Sequence, residues 1–123
     1  MDKINCADFL IREYFHLSPY DFKNTYGTDY PRFMDIVRFL AQYGYFIGCG
    51  FKGLTTHFNF SKSTFRAFSK LNEGAYLIQT RGEEVDHVII YSNGITYDIA
   101  GKEFEYYVKA KKVFGIYLIT KVE

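Results

Sequence analysis

The sequence predicts an α+β fold, with N-terminal helices packed on a C-terminal antiparallel sheet. Three observations predict it. Apolar residues recur at helical spacing in the first third of the chain. Residues 74–98, GAYLIQTRGEEVDHVIIYSNGITYD, contain two apolar runs joined by Asn93-Gly94, the strongest short-range signal for a β-hairpin. The chain then closes on a further strand-like run, VFGIYLITKV, at residues 113–122. Helices first and strands afterwards is the α+β pattern.

The elements follow in order. Asn5 caps a first helix by accepting from a backbone N–H one turn on, which puts Cys6 at the first helical position. Ala7, Leu10, Ile11 and Tyr14 follow i, i+3, i+4, i+7 spacing, with Asp8, Arg12 and His16 facing outward. Ser18-Pro19 stops this helix near Leu17, because the residue before a proline is pushed out of the helical region. Residues 19–30 are polar and turn-rich and read as a loop. A second helix opens near Pro31, with Phe33, Ile36, Val37 and Leu40 as its buried stripe and Gly44 as its C-terminal cap. Gly48, Gly50 and Gly53 make the next stretch read as a loop. Residues 55–60 read as a short extended piece, and 63–71 as a short helix with Phe65 and Phe68 inward. Residues 75–80 form a strand, 81–86 a charged turn, and 87–92 with 95–99 the hairpin. Residues 103–108 add a turn of helix or another strand, and 113–122 form the last strand.

Composition bounds the function. The 123 residues suit one domain, 1–123, and 48% hydrophobic residues are too many for a disordered chain. The core is aromatic, with 13 Phe, 12 Tyr and no Trp to fill it. A net charge of +1 gives no electrostatic footprint for nucleic acid or an anionic membrane. No apolar run approaches a bilayer span, and the first residues lack a signal peptide's apolar region, so the expectation is a cytoplasmic protein. The two cysteines, Cys6 and Cys49, form no CxxC, and His16, His57 and His87 are scattered, which argues against a metal site. No GxxxxGK[ST] phosphate loop occurs. The expected cofactor complement is none, and a Cys6–Cys49 disulfide is disfavoured in a reducing compartment. Oligomeric state is not legible.

One constellation carries chemistry. The Asn93-Gly94 turn sets the register, pairing Ser92 with Ile95, Tyr91 with Thr96 and Ile90 with Tyr97. Alternation then places His87, Ile89 and Asp98 on one side, with His87 and Asp98 as diagonal neighbours. An acid beside an imidazole fixes the tautomer that presents the other ring nitrogen. A helix N-terminus favours negative charge, so Cys6 sits where a thiolate is favoured. Each residue alone has a plainer reading. Cys6 is a small apolar residue near a helix start, His87 opens a strand beside Asp86, and Asp98 is a strand-end acid. Cys49 is the reserve nucleophile.

Asn5-Cys6-Ala7-Asp8-Phe9-Leu10 resembles the start of the catalytic helix of papain-like cysteine peptidases, and GAYLI followed by DHVIIYSNGITYD resembles the sheet of that fold. The flavour is that of its compact bacterial and phage branch, such as the bacteriocin-leader peptidases and the cell-wall amidases. The resemblance covers about ten residues at the N-terminus and about twenty-five around the hairpin. It implies Cys6 as nucleophile, His87 as general base and acid, and Asp98 as the residue that orients it. It implies a peptide or protein substrate, attack on a peptide, isopeptide or cell-wall amide carbonyl, and an acyl-enzyme. The Cys6 backbone N–H is one oxyanion donor. The family's Gln about six residues before the Cys is absent, which leaves Asn5 and Gln79 as candidates for the second. Two alternatives stay open: an inactive domain of this fold that binds a host or partner protein, and a transferase on the same scaffold.

Overall fold

Five strands build one antiparallel sheet in the order β1-β5-β2-β3-β4. The computed structural model describes residues 5–26, 32–49, 74–82, 86–110 and 112–122. In chain order the elements are α1 (Cys6–Glu13), α2 (Pro19–Tyr26), α3 (Phe33–Ala41), β1 (Tyr45–Cys49), β2 (Ala75–Thr80), β3 (His87–Ser92), β4 (Ile95–Tyr97), α4 (Phe104–Lys109) and β5 (Val113–Lys121). The fold is α+β, as the order of helical and strand patterns predicts.

The hairpin has the register that its turn dictates. Ile90 pairs with Tyr97, Tyr91 with Thr96 and Ser92 with Ile95. Asn93 (φ 49°) and Gly94 (φ 86°) occupy the left-handed conformations that a type I′ turn demands. Asn93 Oδ1 also accepts the Gly74 N–H at 2.9 Å, which ties the turn to the entrance of β2.

Alternation along the strands feeds two cores. Leu77, Val88 and Ile90 face α1, α2 and α3, where Leu10, Ile11, Phe22 and Phe39 meet them. Tyr76, Ile78, Ile89 and Tyr91 face the other way and are covered by Phe104, Tyr107 and Val108 of α4. Leu77 and Ile78 are adjacent on β2 and both 0% exposed, so helices cover both faces of the central strand. The N-terminal helices lie on one face, and α4 supplies the second layer.

Several details differ from the sequence reading. Residues 19–26, read as loop, form α2. Pro19 takes the first helical position, where its missing N–H costs nothing, and Phe22 anchors the helix from a fully buried position. Its presence turns Asp8 inward. Asp8, expected to face outward, is 2% exposed, and Lys23 Nζ of α2 meets its Oδ2 at 3.3 Å. Helix α1 ends at Glu13 rather than near Leu17, and His16 leaves it in a left-handed turn at φ 56°. Residues 45–49, read as loop, form β1. Among the described residues it is an edge strand that pairs with β5, and Gly48 there has open space above it. Of the two alternatives for residues 103–108, the helix is the one formed. Among the described residues no helix is long and apolar enough to cross a membrane. The expectations for 55–60 and 63–71, for Pro31 and His57, and for the middle of the 81–86 turn lie outside the described residues.

Candidate active site

Cys6 is the first residue of α1. Asn5 caps the helix with its side-chain oxygen, which accepts the Asp8 N–H at 2.8 Å, while Asp8 Oδ2 reaches back to the Asn5 N–H at 3.5 Å. This reciprocal capping box fixes where the helix starts, and so where Cys6 stands. Cys6 is a free, half-buried thiol. Helix α1 packs against β3, whose first residue is His87.

His87 and Asp98 meet as the hairpin register requires. The ring Nε2 lies 2.6 Å from Asp98 Oδ1. The Thr80 hydroxyl donates to the His87 carbonyl at 3.2 Å and pins the backbone beneath the ring. With Nε2 committed to the carboxylate, Nδ1 is the nitrogen left for another partner. Cys6 is within range to act on the ring through both hydrogen bonding and charge.

The Asp98 carboxylate is satisfied on both oxygens. Oδ1 also accepts the Ala100 N–H at 3.2 Å, and Oδ2 accepts the Lys102 N–H at 3.0 Å and the Tyr107 hydroxyl at 2.6 Å. A buried carboxylate without such donors protonates or costs several kcal/mol. Burial pushes the Asp98 carboxyl up, but the bonds from His87, Tyr107, Ala100 and Lys102 outweigh it and hold it below its ordinary value. The ring responds in turn. Burial opposes a charged imidazole, yet the Asp98 hydrogen bond, with the hydrogen bonding and charge of Cys6, raises the His87 pKa to about 9. At neutral pH the ring is therefore an imidazolium.

Tyr107 is the residue the sequence reading missed. Phe104, Tyr107 and Val108 make the buried i, i+3, i+4 stripe of α4. That spacing was the available signal, since a buried tyrosine needs a partner for its hydroxyl. The Tyr107 ring also lies 6.0 Å, centroid to centroid, from the His87 ring. Burial and the bond to Asp98 push its phenol well above the ordinary range. Tyr106 points outward under the ammonium groups of Lys102 and Lys112.

The two oxyanion candidates take different positions. Asn5 spends its side-chain oxygen on the helix cap. Gln79 stands opposite Val88 in the β2–β3 register, on the sheet face that α1 covers. Cys49 closes β1 on the far edge strand, four positions across the sheet from the hairpin's last strand. His16 is exposed beyond α1. Among the described residues no group of three or more His, Cys, Asp or Glu side chains is arranged to hold a metal ion.

Comparison with family models, with curated proteins and with solved structures finds no match to this chain. The functional reading therefore rests on the geometry of the site.

Proposed function

We propose that the protein is a small thiol hydrolase that cleaves a peptide, isopeptide or cell-wall amide bond through an acyl-enzyme on Cys6. The observation that carries this is the state of His87. Its Nε2 is held by a buried, fully bonded carboxylate, its charge persists at neutral pH, and Cys6 is among the groups that maintain the charge. A thiol beside a fixed imidazolium is the arrangement that nucleophilic thiol chemistry needs.

The chemistry follows from those positions. The Cys6 thiolate attacks the carbonyl carbon. A C–S bond forms, and the carbonyl π electrons move onto oxygen, towards the Cys6 backbone N–H at the start of α1. As the intermediate collapses, the C–N bond breaks and His87 gives its Nδ1 proton to the departing amine. The neutral ring then takes a proton from water, whose oxygen attacks the thioester. The C–S bond breaks, the carboxylic product leaves, and the thiolate–imidazolium pair is restored. Asp98 stays ionised throughout and holds the ring.

Commitment of the Asn5 side-chain oxygen to the helix cap, which takes one oxyanion candidate away from the thiol, favours one second reading, a domain of the same architecture that binds a partner protein without cleaving it. Intact-mass measurement after exposure to an activated acyl ester separates the two. The hydrolase reading expects one acyl group on Cys6, lost in Cys6→Ala and strongly reduced in His87→Ala. An unacylated parent chain, with biological activity that survives Cys6→Ala, contradicts it.

A further inference from the structure

We infer that Lys102, Tyr106 and Lys112 form a docking point beside His87 for the carboxylates of an acidic peptide segment. This deepens the hydrolase reading by naming a class of substrate, and rests on it. Three observations converge. First, two cations meet at one ring. Lys102 Nζ lies 5.1 Å from the centroid of the exposed Tyr106 ring, and Lys112 Nζ lies 5.9 Å from it. Each ammonium is attracted to the ring, but the two repel one another, and an anion beside them relieves that repulsion. Lys109 of α4 is already neutralised by Glu105 at 3.3 Å. Neither Lys102 nor Lys112 meets a carboxylate at ion-pair distance among the described residues.

Second, the lysines are mounted on the same frame as the His87–Asp98 pair. The Lys102 N–H donates to Asp98 Oδ2 at 3.0 Å, the oxygen that also takes the Tyr107 hydroxyl. The Lys112 N–H donates to the Tyr107 carbonyl at 3.0 Å, and the Lys112 carbonyl accepts the Arg81 N–H at 2.8 Å. Thr80 pairs with His87 on one side and with Val113 on the other. Lys112 and His87 therefore stand at one end of the sheet, the end to which β4 delivers Asp98.

Third, the spacing suits a peptide. The Tyr106 ring meets the Tyr107 ring edge to face at 5.2 Å between centroids, and the Tyr107 ring lies 6.0 Å from the His87 ring. Two ring contacts separate the lysines' platform from the imidazolium, a span of about three residues of extended chain. A peptide whose amide lies at Cys6 and His87 reaches the lysines with an acidic side chain at that remove. Carboxylates fit better than a polyanion. Lysine is a point charge without the planar fork of arginine, and a net charge of +1 gives nucleic acid no long-range attraction.

The test titrates the isotope-labelled full chain, read by its backbone amide shifts, with a short blocked peptide carrying two glutamates, with its glutamine counterpart and with inorganic phosphate. The glutamate peptide is expected to shift the amides of Lys102, Tyr106 and Lys112 and to bind about 5-fold more tightly than the glutamine peptide. That difference is expected to fade in about 0.5 M NaCl. Lys102→Gln combined with Lys112→Gln is expected to erase the preference, while Lys109→Gln, whose ammonium is already paired, keeps it. Bound glutamate peptide is also expected to slow iodoacetamide at Cys6 in the parent and not in the double-lysine variant. Equal binding of the two peptides overturns the inference and leaves the hydrolase reading intact, and so does tighter binding of phosphate than of the glutamate peptide. Shifts at the lysines without protection of Cys6 overturn the substrate role. A parent Cys6 that alkylates no faster than a free thiol removes the hydrolase reading and the substrate role with it, even where the glutamate peptide binds.

Discussion

The phenolic hydroxyl of Tyr107 donates to Asp98 Oδ2 at 2.6 Å, while His87 Nε2 holds Oδ1 at the same distance. The carboxylate is gripped from two sides, by the helix that follows the hairpin and by the hairpin's own first strand. Hydrogen bonds to a charged acceptor are each worth roughly 1.5–3 kcal/mol. Tyr107→Phe removes one and leaves the Ala100, Lys102 and His87 donors in place. The variant is expected to lose about 1–3 kcal/mol at neutral pH, read as a lower urea midpoint with an unchanged slope. With a donor gone, the Asp98 carboxyl regains its proton more readily, so acid unfolding begins at a higher pH than in the parent.

The His87–Asp98 pair makes stability depend on pH in two directions. The ring's pKa is raised from 6.5 to about 9, so its contribution is fully present below pH 6.5 and is lost as pH rises through about 9. A shift of that size corresponds to something on the order of 3 kcal/mol. The Asp98 carboxyl is held below its ordinary 3.8, so its contribution is present above that value and lost as pH falls through the lowered one. Urea unfolding as a function of pH is expected to show a decline between about 6.5 and 9 that His87→Gln largely abolishes. An identical decline in that variant would assign it to other groups.

The same pair sets the alkaline edge of activity. Departure of the amine needs the proton on His87, so the amide-cleaving rate is expected to fall as pH passes about 9. Asp98→Asn withdraws the charge that helps keep the ring protonated, and the alkaline limb of the rate profile is expected to move to lower pH.

Helix α2 is anchored by a buried aromatic side chain. Phe22 is 0% exposed and meets Phe39 edge to face at 5.2 Å between centroids. Phe22→Ala is expected to cost about 3–5 kcal/mol, measured by thermal or urea unfolding. Tyr20→Ala, on the same helix but 69% exposed, is expected to change stability little.

The sequence made some of this legible and hid the rest for physical reasons. The Asn93-Gly94 turn admits one strand register, and that register alone brings His87 and Asp98 to the same spot, so the pair could be read before any coordinates. The capping of α1 by Asn5 was equally local. Helix α2 was hidden because the lysine, asparagine and threonine that follow Phe22 resemble a loop. Strand β1 was hidden because Gly48 weakens a strand signal, while an edge position next to β5 tolerates it. Asp8 looked like a surface acid until α2 was there to cover it. The role of Tyr107 depends on α4 folding back over the sheet, which is not a local property of the sequence.

The central claim is that Cys6 works against a charged His87. It is tested most directly by the rate of Cys6 alkylation by iodoacetamide at neutral pH, in the parent chain and in His87→Ala. The account predicts faster modification of the parent than of a free thiol at neutral pH, and a return to the free-thiol rate when the ring is removed. Equal rates in the two chains, both that of a free thiol, would contradict it.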